Sequence, residues 1–255
     1  MKKHLYYVAY MLITLNVNSQ AQQLIKQDSI YSTKQENIHF NYKQLILPVT
    51  LMSYSIIGLE SDAIKSINSE IKEEVNEHID KRITVDDFSQ YAPAVTVYAL
   101  NNMGIKGKNN LRDRSIILAT SYLLMSSIVL PLKKISNIER PDGTANNSFP
   151  SGHTATAFAG AEFLWQEYKD VSVWYGISGY LVAAGTGAFR IYNNRHWLTD
   201  VTMGAGIGIL STKIAYWTFP YINRIFKKKN NTNTGIISPF YNGKQLGVGI
   251  ILNTK

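Results

Sequence analysis

Between Lys133 and Asp200 the chain gathers three short segments whose side chains could move a phosphoryl group. They are Lys133 with Arg140-Pro141, Pro150-Ser151-Gly152-His153, and Arg190 with His196 and Asp200. A phosphate monoester carries nearly two negative charges, and its transition state spreads charge over three equatorial oxygens, so catalysis rests on positioning and electrostatics. Lys133, Arg140 and Arg190 would supply three fixed cations. Lys133 and Arg140 are seven positions apart, so on a continuing helix they share one face. Pro141 pushes Arg140 out of helical geometry, which predicts Arg140 at the helix end with its guanidinium free to fork onto two phosphate oxygens. Taken alone, this segment also reads as a solvated basic helix end before a turn.

Pro150-Ser151-Gly152-His153 leads into the small-residue run Thr154 to Ala161. Ser151 is placed to cap a helix whose first N–H groups would hold an anion, with Gly152 allowing close approach. His153 then stands beside that anion, where it could give a proton to a leaving oxygen. The plainer reading is a loop histidine next to a capping serine. His196 and Asp200 are four positions apart. On a helix beginning near Trp197, Asp200 could accept from one imidazole nitrogen and leave the other as a nucleophile toward phosphorus. The competing reading is a helix-start carboxylate complementing the macrodipole, with a surface histidine nearby. A metal site is disfavoured, because Lys133, Arg140 and Arg190 would repel a cation and the chain has no cysteine.

In this order and spacing, the three segments resemble the motifs of the type 2 phosphatidic acid phosphatase (PAP2) superfamily. That superfamily also contains bacterial acid phosphatases, lipid phosphatases and vanadium haloperoxidases. The resemblance covers roughly Ser115 to Phe219. It implies an all-α, PAP2-type helical bundle of the membrane lipid-phosphatase branch, working without a cofactor. By the same resemblance His196 is the nucleophile that becomes a phosphohistidine, His153 the acid and Asp200 the residue that orients the nucleophile. Lys133, Arg140, Ser151, Gly152 and Arg190 would bind the phosphate. Two departures stand out: Phe189 occupies a position where the family usually has serine, and the gap from Pro141 to Pro150 is short. The implied substrate is a phosphorylated lipid such as a phosphatidate, a polyprenyl diphosphate or a lipid A phosphate. A vanadium-dependent haloperoxidase and a non-catalytic lipid-phosphate binder are the competing expectations.

The rest of the chain must position these groups. With 255 residues, one domain is expected, and 26 basic against 18 acidic residues give a net charge of +8, suited to anionic substrates or an anionic membrane surface. Dispersed basic residues and the lack of any nucleic-acid-binding motif argue against nucleic acid as a partner. Residues 1–21, with Lys2-Lys3, an apolar stretch from Leu5 to Leu15 and Ser19-Gln20-Ala21, read as a cleavable export signal. Residues 22–90 read as an extracytoplasmic region, with Leu45 to Leu59 as an interfacial or re-entrant helix and an amphipathic helix carrying Ile64, Ile67, Ile71 and Val75. Residues 91–220 would form the phosphatase core, with apolar helices over Tyr91 to Met103, Ser115 to Leu132, Trp174 to Phe189 and Leu198 to Phe219, and a more polar one over His153 to Tyr168. The mean hydropathy of −0.11 is low for a protein built of spans, and a soluble helical bundle is the alternative. Uncharged Ser115 to Leu132 and glycine-rich Met203 to Leu210 favour packed membrane helices. Lys106, Lys108, Arg112, Arg114 and Lys227-Lys228-Lys229 would lie on the cytoplasmic side. That arrangement puts the motifs at the periplasmic face of a bacterial cell envelope. His39 and His78 read as surface residues. Residues 221–255 form a basic tail in which Asn242-Gly243 predicts a β-hairpin.

Overall fold

The computed structural model describes residues 41–78 and 84–226, together with the backbone of 234–241 and 246–253. The export signal, His39 and Lys227-Lys228-Lys229 fall outside these residues. After a 3-10 turn at Tyr42–Leu45 come α1 (Ile46–Glu60), α2 (Asp62–His78), α3 (Val85–Ser89), α4 (Ala92–Asn102), α5 (Leu111–Ser136), α6 (Gly152–Tyr168), α7 (Val173–Tyr192) and α8 (Leu198–Phe226).

The centre of the bundle is α6, whose alanines, Gly160, Phe163 and Leu164 are buried on nearly every side. Small residues let its neighbours approach backbone to backbone. A methyl group on Gly208 of α8 would lie 2.3 Å from the Ala155 carbonyl oxygen, and one on Gly204 would lie 2.4 Å from that of Ser151. On the opposite face of α8, a methyl on Gly206 would meet Met52 and the Pro48 carbonyl of α1. α4 rests on Gly160 through Ala94, and α7 packs on α6 at Gly176 and Gly179. Three apolar clusters fill the remaining space, around Val97, Ile117, Phe163 and Tyr216, around Met125, Val129, Phe149 and Met203, and around Ala157, Ala161 and Ala183.

Polar pins cross this interior. Lys213 of α8 donates to Glu162 of α6 at 2.7 Å, and Tyr180 of α7 donates to the other oxygen of the same carboxylate. One turn along, Glu167 accepts from the Tyr216 hydroxyl at 2.7 Å and from Asn109, with Arg114 3.8 Å away. Removing one member of such a buried pair costs roughly 3–5 kcal/mol, because the other charge is stranded.

The outer faces are apolar. Leu123, Leu130 and Ile135 of α5, Trp174 and Leu181 of α7, and Ile46, Ile56 and Ile57 of α1 are all exposed. Among the described residues, α5 is the helix long and apolar enough to cross a membrane, with 26 residues and an inner stretch of 18 whose mean hydropathy is 1.9.

Several expectations need correction. The first motif is not a continuous helix: α5 ends at Ser136, where Asn137 takes the left-handed conformation at φ 48°, which asparagine tolerates. Arg140 therefore lies in the loop beyond α5, and it reaches the site by that loop's course and not by helical periodicity. The expected terminal hairpin is not supported as part of the fold. The backbone of Thr234–Tyr241 runs antiparallel to Leu246–Asn253, but among the described residues the pair has no extensive packing on a helix. Helix α3 was not anticipated.

Candidate active site

The three segments meet at one end of the bundle, where α5 and α7 finish and α6 and α8 begin. Ser151 caps α6 as its position suggests: its hydroxyl accepts from the Thr154 N–H at 3.4 Å and lies 2.8 Å from the Thr154 hydroxyl. The N–H of Ser151 is held by the Asp200 carbonyl at 3.0 Å, so the starts of α6 and α8 are tied together. Gly152 faces Lys133, whose Cε would lie 3.8 Å from an added methyl. Lys133 donates to the Asn147 carbonyl at 2.9 Å, and Arg140 donates to the Asn147 side chain at 3.0 Å. One asparagine thus holds both cations of the first motif.

His196 is 2% exposed and Asp200 is fully buried. The imidazole Nδ1 is 3.4 Å from Asp200 Oδ2 and 3.5 Å from the Ser148 hydroxyl, which itself donates to the same Asp200 oxygen. That oxygen also accepts from the Trp197 N–H at 2.8 Å. Asp200 therefore fills both roles read from its spacing, facing the histidine and satisfying the start of α8. Burial lowers the His196 pKa from 6.5 to about 4; Asp200 opposes the shift, while Lys133 and Arg190 reinforce it. At that value the ring is neutral at physiological pH, with Nδ1 engaged and no hydrogen-bond partner on Nε2 among the described residues.

An open cavity of about 310 Å³ is lined by Thr84, Asp86, Asp87, Arg140, His153, Arg190, Asn193 and Arg195. Of the residues singled out by sequence, Arg140, His153 and Arg190 face it. Lys133, Ser151, Gly152, His196 and Asp200 lie outside its lining. Burial lowers the Arg140 pKa, and Arg195 and Arg190 add to the effect, which reflects how densely positive charge is packed here.

Sequence reasoning missed the residues that balance this charge. Asp86, on α3, is 1% exposed; it accepts from Arg190 and from Asn193 Nδ2 at 3.1 Å. Its neighbour Asp87 lies 3.0 Å from His153 Nε2 and 3.9 Å from Arg190. Arg195, paired with Asp142 at 3.2 Å, was also missed, as was Ser148. Asp86, Asp87 and His153 approach within 4.8 Å of one another, close enough to bind a metal, but Arg190 already offsets both carboxylates. The buried Arg190 Nε has no hydrogen-bond partner among the described residues. It is a donor with capacity to spare for an anion.

Over 141 residues, 55% of this chain and 32% of the relative, the sequence is 43% identical to the lipid A 1-phosphatase of Porphyromonas gingivalis. Over 80 residues, 31% of this chain and 37% of the relative, it is 32% identical to the bacitracin transport permease protein BcrC of Bacillus licheniformis. The chain thus spans about a third of the length of these curated relatives. Among solved structures, it is similar to Aquifex aeolicus LpxE, with 26% identity and a TM-score of 0.45, over 59% of this chain and 94% of that one. It is also similar to a transmembrane PAP2-type phosphatidylglycerolphosphate phosphatase from Bacillus subtilis, with 19% identity and a TM-score of 0.44, over 72% and 99%. Residues 114–224 match the sequence profile of the PAP2 superfamily.

Proposed function

We propose that this protein is a metal-independent phosphatase that removes phosphate from a phosphorylated lipid through a phosphohistidine on His196. The observation that carries this reading is the buried, neutral His196, backed by Asp200 and Ser148 and set among Lys133, Arg140 and Arg190. In the first half-reaction His196 Nε2 attacks phosphorus and the bond from phosphorus to the leaving oxygen breaks. His153 gives that oxygen a proton. In the second, water attacks the phosphohistidine, His153 takes the water proton, and inorganic phosphate leaves. Lys133, Arg140, Arg190 and the first turn of α6 hold the equatorial oxygens in both steps.

A lipid substrate is supported by the exposed apolar faces and by α5, which at about 1.5 Å per residue exceeds the ~30 Å hydrocarbon core of a bilayer. Among lipids, a lipid A 1-phosphate is favoured by the 43% identity to a lipid A 1-phosphatase. Residues 91–220 are the proposed catalytic core, embedded with the site at the periplasmic face. Hydrolysis of an aryl phosphate and of lipid A by the purified full chain tests the reading. Wild type should turn over both in excess chelator and be inhibited by vanadate, and His196→Ala should abolish turnover and phosphoenzyme trapping. Activity that chelator removes and magnesium restores refutes the mechanism.

A further inference from the structure

Asp87 lies outside the family-matched segment, and none of the steps above uses it. It sits on α3, a five-residue helix held firmly against the site. Next to it, Asp86 is buried between Arg190 and Asn193. Two residues on, the Ser89 hydroxyl is 2.7 Å from that of Thr186 in α7. Behind it, Gln90 donates to the Asp87 carbonyl at 2.8 Å, while the Asp87 N–H bonds the Thr84 carbonyl. The carboxylate at the tip of this clamp meets His153 Nε2 at 3.0 Å, with side-chain exposures of 52% and 31%.

A freely exposed ion pair would be worth little. This one differs because both partners are fixed: His153 by the first turn of α6, Asp87 by the clamped α3. We propose that Asp87 is the positioning residue of the general acid, holding His153 through Nε2 so that Nδ1 carries the proton given to the leaving oxygen. This rests on the acid role proposed for His153. The proton balance closes. Doubly protonated His153 donates its Nδ1 proton as the phosphorus–oxygen bond breaks, and keeps Nε2–H on Asp87. As a neutral ring it then accepts the proton of the attacking water at Nδ1. Among the described residues no group bonds Nδ1, which leaves it free for this traffic.

The charges facing His153 are Asp86 and Asp87 from α3, Arg190 from α7, and Arg140 and Arg195 across the cavity, with Lys133 beyond Gly152. Burial and Arg190 lower the His153 pKa, and the hydrogen bond that His153 donates to Asp87 opposes them. Without Asp87, the acid loses its proton at lower pH.

The experiment compares Asp87→Asn, Asp87→Glu and His153→Ala with wild type, all as full chains, using one aryl and one alkyl phosphate across pH. The alkyl-to-aryl rate ratio is internal to each preparation, so it is insensitive to any fraction that fails to fold. D87N should lower kcat on the alkyl substrate by ~10-fold or more, part of the ~10²–10⁴ that general acids contribute. The aryl rate, which needs no proton for its leaving group but shares the water-activating step, should fall less, and the alkaline limb should shift to lower pH; D87E should recover part of the loss. An unchanged ratio and limb in D87N overturns the inference, as does a fall in KM alone, which would mark the carboxylate as a competitor for the phosphate site. Chelator-sensitive wild-type activity that is lost in D87N also overturns it, by making Asp87 a metal ligand. If H153A itself spares the alkyl substrate, the acid role fails with it; if H153A shows the leaving-group signature and D87N does not, only the Asp87 assignment fails.

Discussion

Replacing Gly204 by alanine should damage catalysis far more than its size suggests. The added methyl would sit 2.4 Å from the Ser151 carbonyl oxygen and 3.2 Å from the Ala155 nitrogen. Ordinary contact begins near 3.4 Å, so the start of α6 must retreat from α8 by about 1 Å. Neither obstacle is a flexible side-chain end; both are backbone, and one belongs to the residue that caps the proposed anion cradle. Gly152 and His153 move with α6, whereas His196 and Asp200 stay with α8. The two halves of the site therefore separate, and a misplacement of ~1 Å can cost ~10²-fold in rate. Overpacking of this kind also destabilises by about 1–3 kcal/mol. Gly185→Ala is the matched control, since a methyl there meets nothing within 4 Å, and it should be neutral or slightly stabilising. The assay is kcat on an aryl phosphate, alongside thermal unfolding of both variants in the same detergent. Full activity in Gly204→Ala would refute the claim that this close approach sets the site's geometry.

Two further expectations concern titration and topology. Because the His196 pKa is lowered from 6.5 to about 4, His196, the proposed nucleophile, should stay unprotonated down to about pH 4. The unfolded chain binds a proton there below 6.5 that the folded state refuses until about 4, so the His196 contribution to stability falls as pH falls across that window. Denaturant unfolding of wild type and His196→Asn between pH 4 and 7 checks this, and an equal slope in both removes His196 as the cause. The chain has no cysteine, so Asn146→Cys provides a single label near the site. It should react with an impermeant thiol reagent in intact spheroplasts, while a reporter fused after Lys229 should behave as cytoplasmic. Labelling only after permeabilisation would turn the site inward.

The helices were legible where apolar periodicity runs long, and α4 to α8 lie close to their expected spans. So were the local groupings of the candidate site, because Ser151, Gly152 and His153, and likewise His196 and Asp200, are near neighbours along the chain and each group follows from one helix start. What escaped was non-local. Asp86 and Asp87 sit on a helix too short to show a period, and nothing in Val85-Asp86-Asp87-Phe88 points to Arg190, more than a hundred residues later. Ser148 reads as an ordinary loop serine until the fold brings it to Asp200. Arg140 does line the cavity, but not by the helical route expected, since Asn137 breaks the helix that was to carry it.

The pairing of Asp86 with Arg190 has a consequence for how the protein can be cut and recombined. The stretch that carries the family signature, residues 114–224, is not the smallest piece that closes on itself. Excised at those limits, it would keep Arg190 but lose the carboxylate that neutralises it, and the groove at Gly206 would lose α1. A chimaera exchanging this segment between relatives should therefore transplant α1 and α3 as well, treating the inherited unit as discontinuous. Grafts that respect only the contiguous boundary would place an uncompensated guanidinium at the heart of the foreign scaffold.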